Sequence, residues 1–500
     1  MEDPLKTDVL IVGAGAAGLF TALHLPPETE IVVIDKGKKG QGSSPWAQGG
    51  IAAALGPDDS PELHARDTTR VAAGHADPAA VAVLCSEAPE CVLELVELGC
   101  TFDRTDQGDL HLAREGGQTV ARSAHAGDAT GAAIMATLRE KAIDKVNRVE
   151  GVAVSLAVSD GRCVGAWVLT GGRLVFVQAG SIVLATGGIG ALYESTTNPA
   201  GATGDGLILA WEAGAGLADL EFVQFHPTAL AVGEGQQRPL ITEALRGAGA
   251  HVVDAEGRRF LFGHHSDGEL GPRDVVARAI ASRRSWLDCR HLDPGLLSKE
   301  FPTVIASCRS VGIDPTHDLI PVTPAAHYFI GGVQTDLDGR ASIPRLYAVG
   351  ECSSTGVHGA NRLAGNSLAE ALVFGRRAAR AIAGQRIGTV KPNPVPQVLH
   401  PVDVDIEAGW RWVRKVCTSA MGLERNPTVL RGVDDQLEQL SILPLSSDPA
   451  TVELRGGALT ARLIARSAAL RTESRGVHRR SDHPDPDPHW AGIRLRVAQG

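Results

Sequence analysis

His226, Thr242, Arg273, His327 and Arg362 carry the kinds of donor that two carboxylates need. They fall in the segments Phe225-His226-Pro227-Thr228, Thr242-Glu243-Ala244-Leu245-Arg246-Gly247, Pro272-Arg273-Asp274, Ala326-His327-Tyr328 and His358-Gly359-Ala360-Asn361-Arg362. An arginine presents a planar fork of N–H groups that matches a carboxylate, and His and Thr add directed donors. The chemistry that suits such a set is the grip of a small dicarboxylate. Singly, each residue has an ordinary reading. His226 before Pro227 can be a turn histidine, Arg273 a surface ion-pair partner, and Glu243 a neighbour of Arg246 on one helix face.

The elements that would position these residues begin at the N-terminus. Asp8 to Val12 reads as a buried strand, followed by Gly13-Ala14-Gly15-Ala16-Ala17-Gly18 and an apolar helical stretch through Leu25. A second β-branched run, Ile31 to Ile34, ends at Asp35 and Lys36. Strand, glycine turn, helix and strand make a dinucleotide cradle. Gly13 permits the turn, Gly15 lets a pyrophosphate approach the backbone, and Gly18 lets the helix pack on the strand. The pyrophosphate sits at the helix N-terminus, and Asp35 is placed to accept hydrogen bonds from a ribose. This motif alone does not separate FAD from NAD.

Further signals favour a flavin. The loop Ser43-Ser44-Pro45-Trp46-Ala47-Gln48-Gly49-Gly50 offers small residues and the donors Ser43, Ser44 and Gln48. Ile182 to Gly188 is again an apolar strand ending in glycines, and Leu346 to Glu351 repeats the pattern. Asn366-Ser367-Leu368 opens an apolar helix, whose first N–H groups suit the negative charge of a reduced flavin. Asp205 is a candidate cofactor contact or a turn acid.

The composition narrows the function classes. The chain has 500 residues, a net charge of -10, and only 4% aromatic residues beside 58 glycines. An acidic balance argues against nucleic-acid binding. Neither a signal peptide nor a membrane-spanning run is evident, so a cytoplasmic protein is expected. The eight cysteines show no C-x-x-C pair, and no metal site is expected.

Gly13–Gly18, Ala47-Gln48-Gly49-Gly50, Ala185-Thr186-Gly187-Gly188 and Gly350-Glu351, in that order, make the chain resemble the flavoprotein family of succinate dehydrogenases, fumarate reductases and L-aspartate oxidases. The resemblance covers nearly the whole chain. It implies an α/β fold: a Rossmann-like FAD-binding domain (1–219 with 330–388), interrupted by an α+β capping domain (220–329) and followed by a helical domain (396–480). Lys391 to Pro396 is expected as a linker, and 481–500 as a disordered tail. The resemblance gives Arg273 the transfer of the substrate C3 proton, with hydride leaving C2 for the flavin or an equivalent dehydrogenation across C–N. An arginine of the segment Arg471–His478 is expected near the site.

Two features turn the expectation toward the members of the family that act on L-aspartate. Ser43 stands where covalent family members carry a histidine, so FAD is expected to be non-covalent. Glu115, in Arg114-Glu115-Gly116-Gly117, matches a glutamate that faces the substrate amino group. A carboxylate there attracts an ammonium and repels an extra anion. The implied reaction is L-aspartate to iminoaspartate with oxygen or fumarate as acceptor. The product would feed NAD biosynthesis through a transient handover to quinolinate synthase. A soluble fumarate reductase and a non-catalytic flavin-binding protein are the alternatives. Asp35 departs from the Ser or Glu of some relatives, which leaves its ribose role open.

Overall fold

The computed structural model describes residues 5–37, 42–383 and 400–499. The apolar second half of strand Leu5–Val12, Val9 to Val12, is buried between two parallel neighbours, Ile31–Asp35 and Arg173–Leu184. Runs with no polar face are what a sheet covered on both sides requires. The resulting seven-stranded sheet continues outward to Asn147–Glu150 on one side. On the other side, Arg173–Leu184 forks. Its first half pairs antiparallel with Arg162–Thr170, and its last residues pair parallel with Leu346–Ala348. Chain from beyond the capping region therefore completes the N-terminal sheet, which brings Gly350 and Glu351 beside Gly13.

A separate four-stranded antiparallel sheet runs Val223–Leu230, Ile320–Phe329, Ser285–Asp288, His251–Val253, with its own apolar core around Leu230, Leu245, Val276 and Ile305. The register shifts between Gln224 and Phe225 and between His226 and Ala229. Such irregularities re-aim side chains, here at the His226 segment. C-terminal helices Ile406–Ala420, Val433–Ser441 and Pro449–Leu470 pack Trp410, Val413, Leu454 and Ala458 onto Leu192, Leu207 and Ile208 of the first domain. The expected α/β architecture, with a capping domain and a C-terminal helical part, is the one observed.

One expectation is overturned. Residues 481–499 are not a disordered tail. Arg496–Val497 adds a strand to Leu217–Ala218, and Arg494 is ion-paired to the buried Asp219 at 2.7 Å. Asp and Pro in the segment looked like solvated chain, but Asp485 and Asp487 present carbonyls that Ser474 and Arg475 use. The expected linker Lys391–Pro396 lies outside the described residues. Among the described residues no helix is long and apolar enough to cross a membrane.

Candidate active site

Two regions meet at His327. The first is a cleft of about 440 Å³ lined by Gly13 to Ala17, Asp35, Lys36, Ser43, Ser44, Ala47, Asp205, Glu351, Ser367 and Leu368, with His327 and Tyr328 at one end. At its glycine turn the wall leaves no room for a side chain. Gly13 has φ +114°, and a Cβ on it would stand 2.2 Å from the Ala185 carbonyl oxygen. One on Gly18, which packs behind the cleft, would stand 2.1 Å from the Gly13 oxygen. Helices Ala16–His24, Asp205–Glu212 and Asn366–Ile382 start here without a side-chain cap. Their first N–H groups are thus open to an anionic ligand. Two of these N–H groups are met by side chains: Ala16 N–H by the Ser44 hydroxyl and Gly206 N–H by the Thr186 hydroxyl, each at 3.1 Å. Backbone approach without Cβ, helix N-termini and an elongated cleft fit the pyrophosphate and ring system of FAD.

Several proposed cofactor contacts are engaged elsewhere. Asn366 is fully buried and spends its side chain on His64 and Thr68, at 2.8 and 3.0 Å. It therefore offers the cleft its backbone, not its amide. Lys36 is held by Asp205 at 2.6 Å and Glu453 at 2.8 Å, so the lysine and Asp205 neutralise each other at the rim. Asp35 is bonded to Arg148 and to Gly37 N–H. Glu351 accepts Phe329 N–H at 3.0 Å, and burial pushes its pKa up to about 7. Gln48, Gly49 and Gly50 lie on the side toward the second region. Gln48 is buried, and its Oε1 has no hydrogen-bond partner.

The second region is a buried charge cluster. Arg273 Nε donates to Glu243 Oε2 at 2.6 Å, and its Nη1 donates to Gln224 Oε1 at 3.2 Å. Arg246 lies 3.4 Å from Glu243. Arg362 lies over the Tyr328 ring at 4.4 Å and donates to Ser367 Oγ at 3.0 Å. Burial, then the charge of Arg273, brings its pKa down to about 10. Its Nε is buried with no hydrogen-bond partner. His226 and His327 face each other with ring centroids 5.0 Å apart. His226 Nδ1 accepts Thr228 N–H at 3.2 Å, which leaves Nε2 as the donor. Burial, followed by neighbouring arginine charge, holds both imidazoles well below their ordinary pKa, so they are neutral donors at pH 7.

The two glutamates differ. Glu243 is held below the usual carboxylate range: burial opposes this, but Arg273 and Arg246 outweigh it. Glu115 is raised, by burial and then by the charge of Glu243. Its Oε1 accepts Gly50 N–H at 2.9 Å, which ties the proposed substrate acid to the loop Ala47–Gly50. Thr242 caps the helix Glu243–Gly247 with its hydroxyl, at 3.4 Å from Ala244 N. Thr242 and Glu243 thus build the site more than they offer it donors. Arg273, Arg246 and Arg362 stand against Glu243 and a Glu115 that resists ionisation. The cluster holds an excess of buried positive charge, which an anion of two carboxylates would offset.

Three contributors were not foreseen. Gln224 clamps Arg273, and its Nε2 also reaches Asn361 and the Arg362 carbonyl, at 2.8 and 2.9 Å. Tyr328 carries Arg362 and donates to Glu370 at 2.7 Å. Glu370 sits in the helix Asn366–Ile382, where a buried acid between apolar neighbours was the one available signal. The guanidinium of Arg471 does not join the cluster; it pairs with Glu221 and Glu473, at 2.6 and 3.0 Å.

Comparison with known proteins places this arrangement. The FAD binding domain family matches residues 8–368, and the fumarate reductase flavoprotein C-terminal family matches 449–497. An L-aspartate oxidase of Caulobacter vibrioides is 45% identical over 98% of this chain and 95% of its own. Another, from a Nostoc species, is 42% identical over 98% and 93%. Among solved structures, an E. coli quinol fumarate reductase superposes with TM-score 0.90 at 30% identity, covering 97% of this chain and 93% of the other.

Proposed function

The chain belongs to the L-aspartate oxidase family, and from that premise we propose that it oxidises L-aspartate to iminoaspartate with non-covalent FAD. The observation that carries the reading is the excess of buried arginine charge, with Glu115 as the acid that could face an ammonium. Gly13 to Gly18, Ser43, Ser44, Ala47 to Gly50, Glu351, Ser367 and Leu368 would hold FAD in and around the cleft that His327 helps to line. Bound there, FAD supplies a two-electron acceptor for the hydride that leaves the substrate.

The remaining steps belong to the protein. Arg362, His226 and His327 hold the carboxylates, with Arg362 fixed in place by Tyr328 and Ser367. Glu115, once ionised, pairs with the substrate ammonium. Arg273 takes the C3 proton while its own Nε proton passes to the Glu243 carboxylate, and the enamine so formed becomes iminoaspartate when a proton returns to C3 and one leaves the nitrogen. Gln224 keeps the guanidinium in plane for that exchange. Oxygen or fumarate then reoxidises the cofactor, and the product enters NAD biosynthesis. Handover to quinolinate synthase in the cytoplasm completes the proposal. The eight cysteines, all free and buried, suit a reducing compartment.

The test follows hydrogen peroxide from purified enzyme with L-aspartate or succinate, after confirming that mild denaturation releases yellow FAD. Peroxide from aspartate alone, lost in Arg273→Leu and weakened in Glu115→Gln, supports the reading. Inert aspartate with reduction of fumarate by the chemically reduced enzyme would make the protein a fumarate reductase.

A further inference from the structure

His111, His125 and Glu300 are distant in sequence, yet one ligand atom from each lies within 4.8 Å of the other two. Nδ1 of His111 stands 2.9 Å from Nε2 of His125. Two imidazoles on one ion at roughly 2.0–2.1 Å would need little movement from there. Behind His125, its Nδ1 faces Asp103 Oδ2 at 3.1 Å, and that oxygen also accepts Gly127 N–H at 2.7 Å. A carboxylate on the outer nitrogen of an imidazole fixes the tautomer and aims the inner nitrogen outward, as in metal centres. Backbone hydrogen bonds from Asp103 N to His125 O and from His111 N to Asp103 O, both 2.8 Å, lock these residues together.

Glu300 arrives from the capping domain, at the end of the helix Pro294–Glu300. The next helix of that domain starts against the FAD-binding domain, because Thr303 and Val304 N–H donate to Asp128 at 3.0 and 2.8 Å. The cluster therefore straddles the junction beside a hydrogen-bonded contact. His111 is exposed, Glu300 half-buried and His125 buried, so an ion can enter from solvent. Two imidazoles and one carboxylate are a zinc-type ligand set with a fourth position left for water.

We propose that His111, His125 and Glu300 bind a divalent cation of the zinc class that ties the capping domain to the FAD-binding domain. The ion bonds groups of both domains at once and so favours the arrangement in which Thr303 and Val304 meet Asp128. Binding of the ion does not depend on which substrate the enzyme takes.

The experiment strips FAD-loaded enzyme with a chelator and titrates it with zinc chloride by calorimetry, with melting curves at each end point. One zinc per chain and a raised melting temperature are expected. His111→Gln should abolish both, and Glu300→Gln should weaken binding at least about tenfold. Asp103→Asn, which leaves all three ligands in place, should weaken it about 10–100-fold. Metal-free turnover of Glu300→Gln should match the parent, and each variant's flavin spectrum reports its fold. Absence of stoichiometric binding, or equal binding in all variants, overturns the site. Parental affinity in Glu300→Gln with loss in His111→Gln would put the ion on the FAD-binding domain alone and overturn the tie.

Discussion

Around the cofactor cleft the groups offered to a ligand are mostly backbone: a glycine turn, uncapped helix starts and small residues. In the substrate cluster they are charged and polar side chains drawn from the loop of Glu115, the sheet edge of Gln224 and His226, two helix starts and the turn at Arg362. The two regions should therefore fail in opposite ways. A backbone cradle is lost when an atom is added, because the walls are other backbone. A charge cluster is lost when one member is removed, because its partners are then left buried without compensation.

The largest effect expected is at Gly13. In Gly13→Val the new side chain meets the Ala185 carbonyl and the backbone leaves the left-handed region, so the protein should purify colourless. A yellow protein with full FAD content would break the comparison on the cradle side. Arg273→Leu should do the reverse and keep FAD while losing about 10³ or more in kcat/KM for aspartate. Stopped-flow reduction of the bound flavin checks this, and Arg273→Lys separates lost charge from lost fork geometry. If Arg273→Lys is as active as the parent, the planar fork is not needed.

Glu115→Gln should raise KM for aspartate about tenfold with little change in the inhibition constant of succinate, which lacks the ammonium. The pH dependence sharpens the point. Because the pKa of Glu115 is raised, its carboxylate is lost as pH falls through that raised value. KM for aspartate should then climb toward acid in the parent and stay flat in Glu115→Gln. An identical pH profile in both would remove Glu115 from ammonium binding. The smallest effect belongs to Tyr328→Phe, which deletes one hydrogen bond to Glu370 while leaving the ring under Arg362. A loss of about 1 kcal/mol in unfolding free energy is expected, with near-parental turnover.

Legibility in the sequence follows the same division. Gly13 to Gly18 and its flanking strands were readable because the cradle is local, with turn, helix start and strand contiguous in the chain. The inventory of His226, Arg273, His327 and Arg362 was readable as residue types. What Thr242, Glu243 and Asn366 do was not, because each has a local and a ligand role that only packing separates. Thr242 caps a helix, Glu243 pairs with Arg273, and Asn366 bonds His64 across 302 positions. The tail was misread because Asp, His and Pro suggest solvated chain wherever no partner is visible.

By itself the sequence determined the dinucleotide cradle and the residue types offered to a ligand, and its family resemblance carried the α/β fold. Those depend on φ angles, hydrophobic period and side-chain chemistry, which are properties of neighbouring residues. Only the tertiary structure decided that Glu115 and Glu243 face the same arginine with opposite pKa shifts, that Gln224 orients Arg273, and that His111, His125 and Glu300 converge. Burial and Coulomb interaction depend on distances in space, and the chain closes those distances only when the last part of its sheet is laid beside the first.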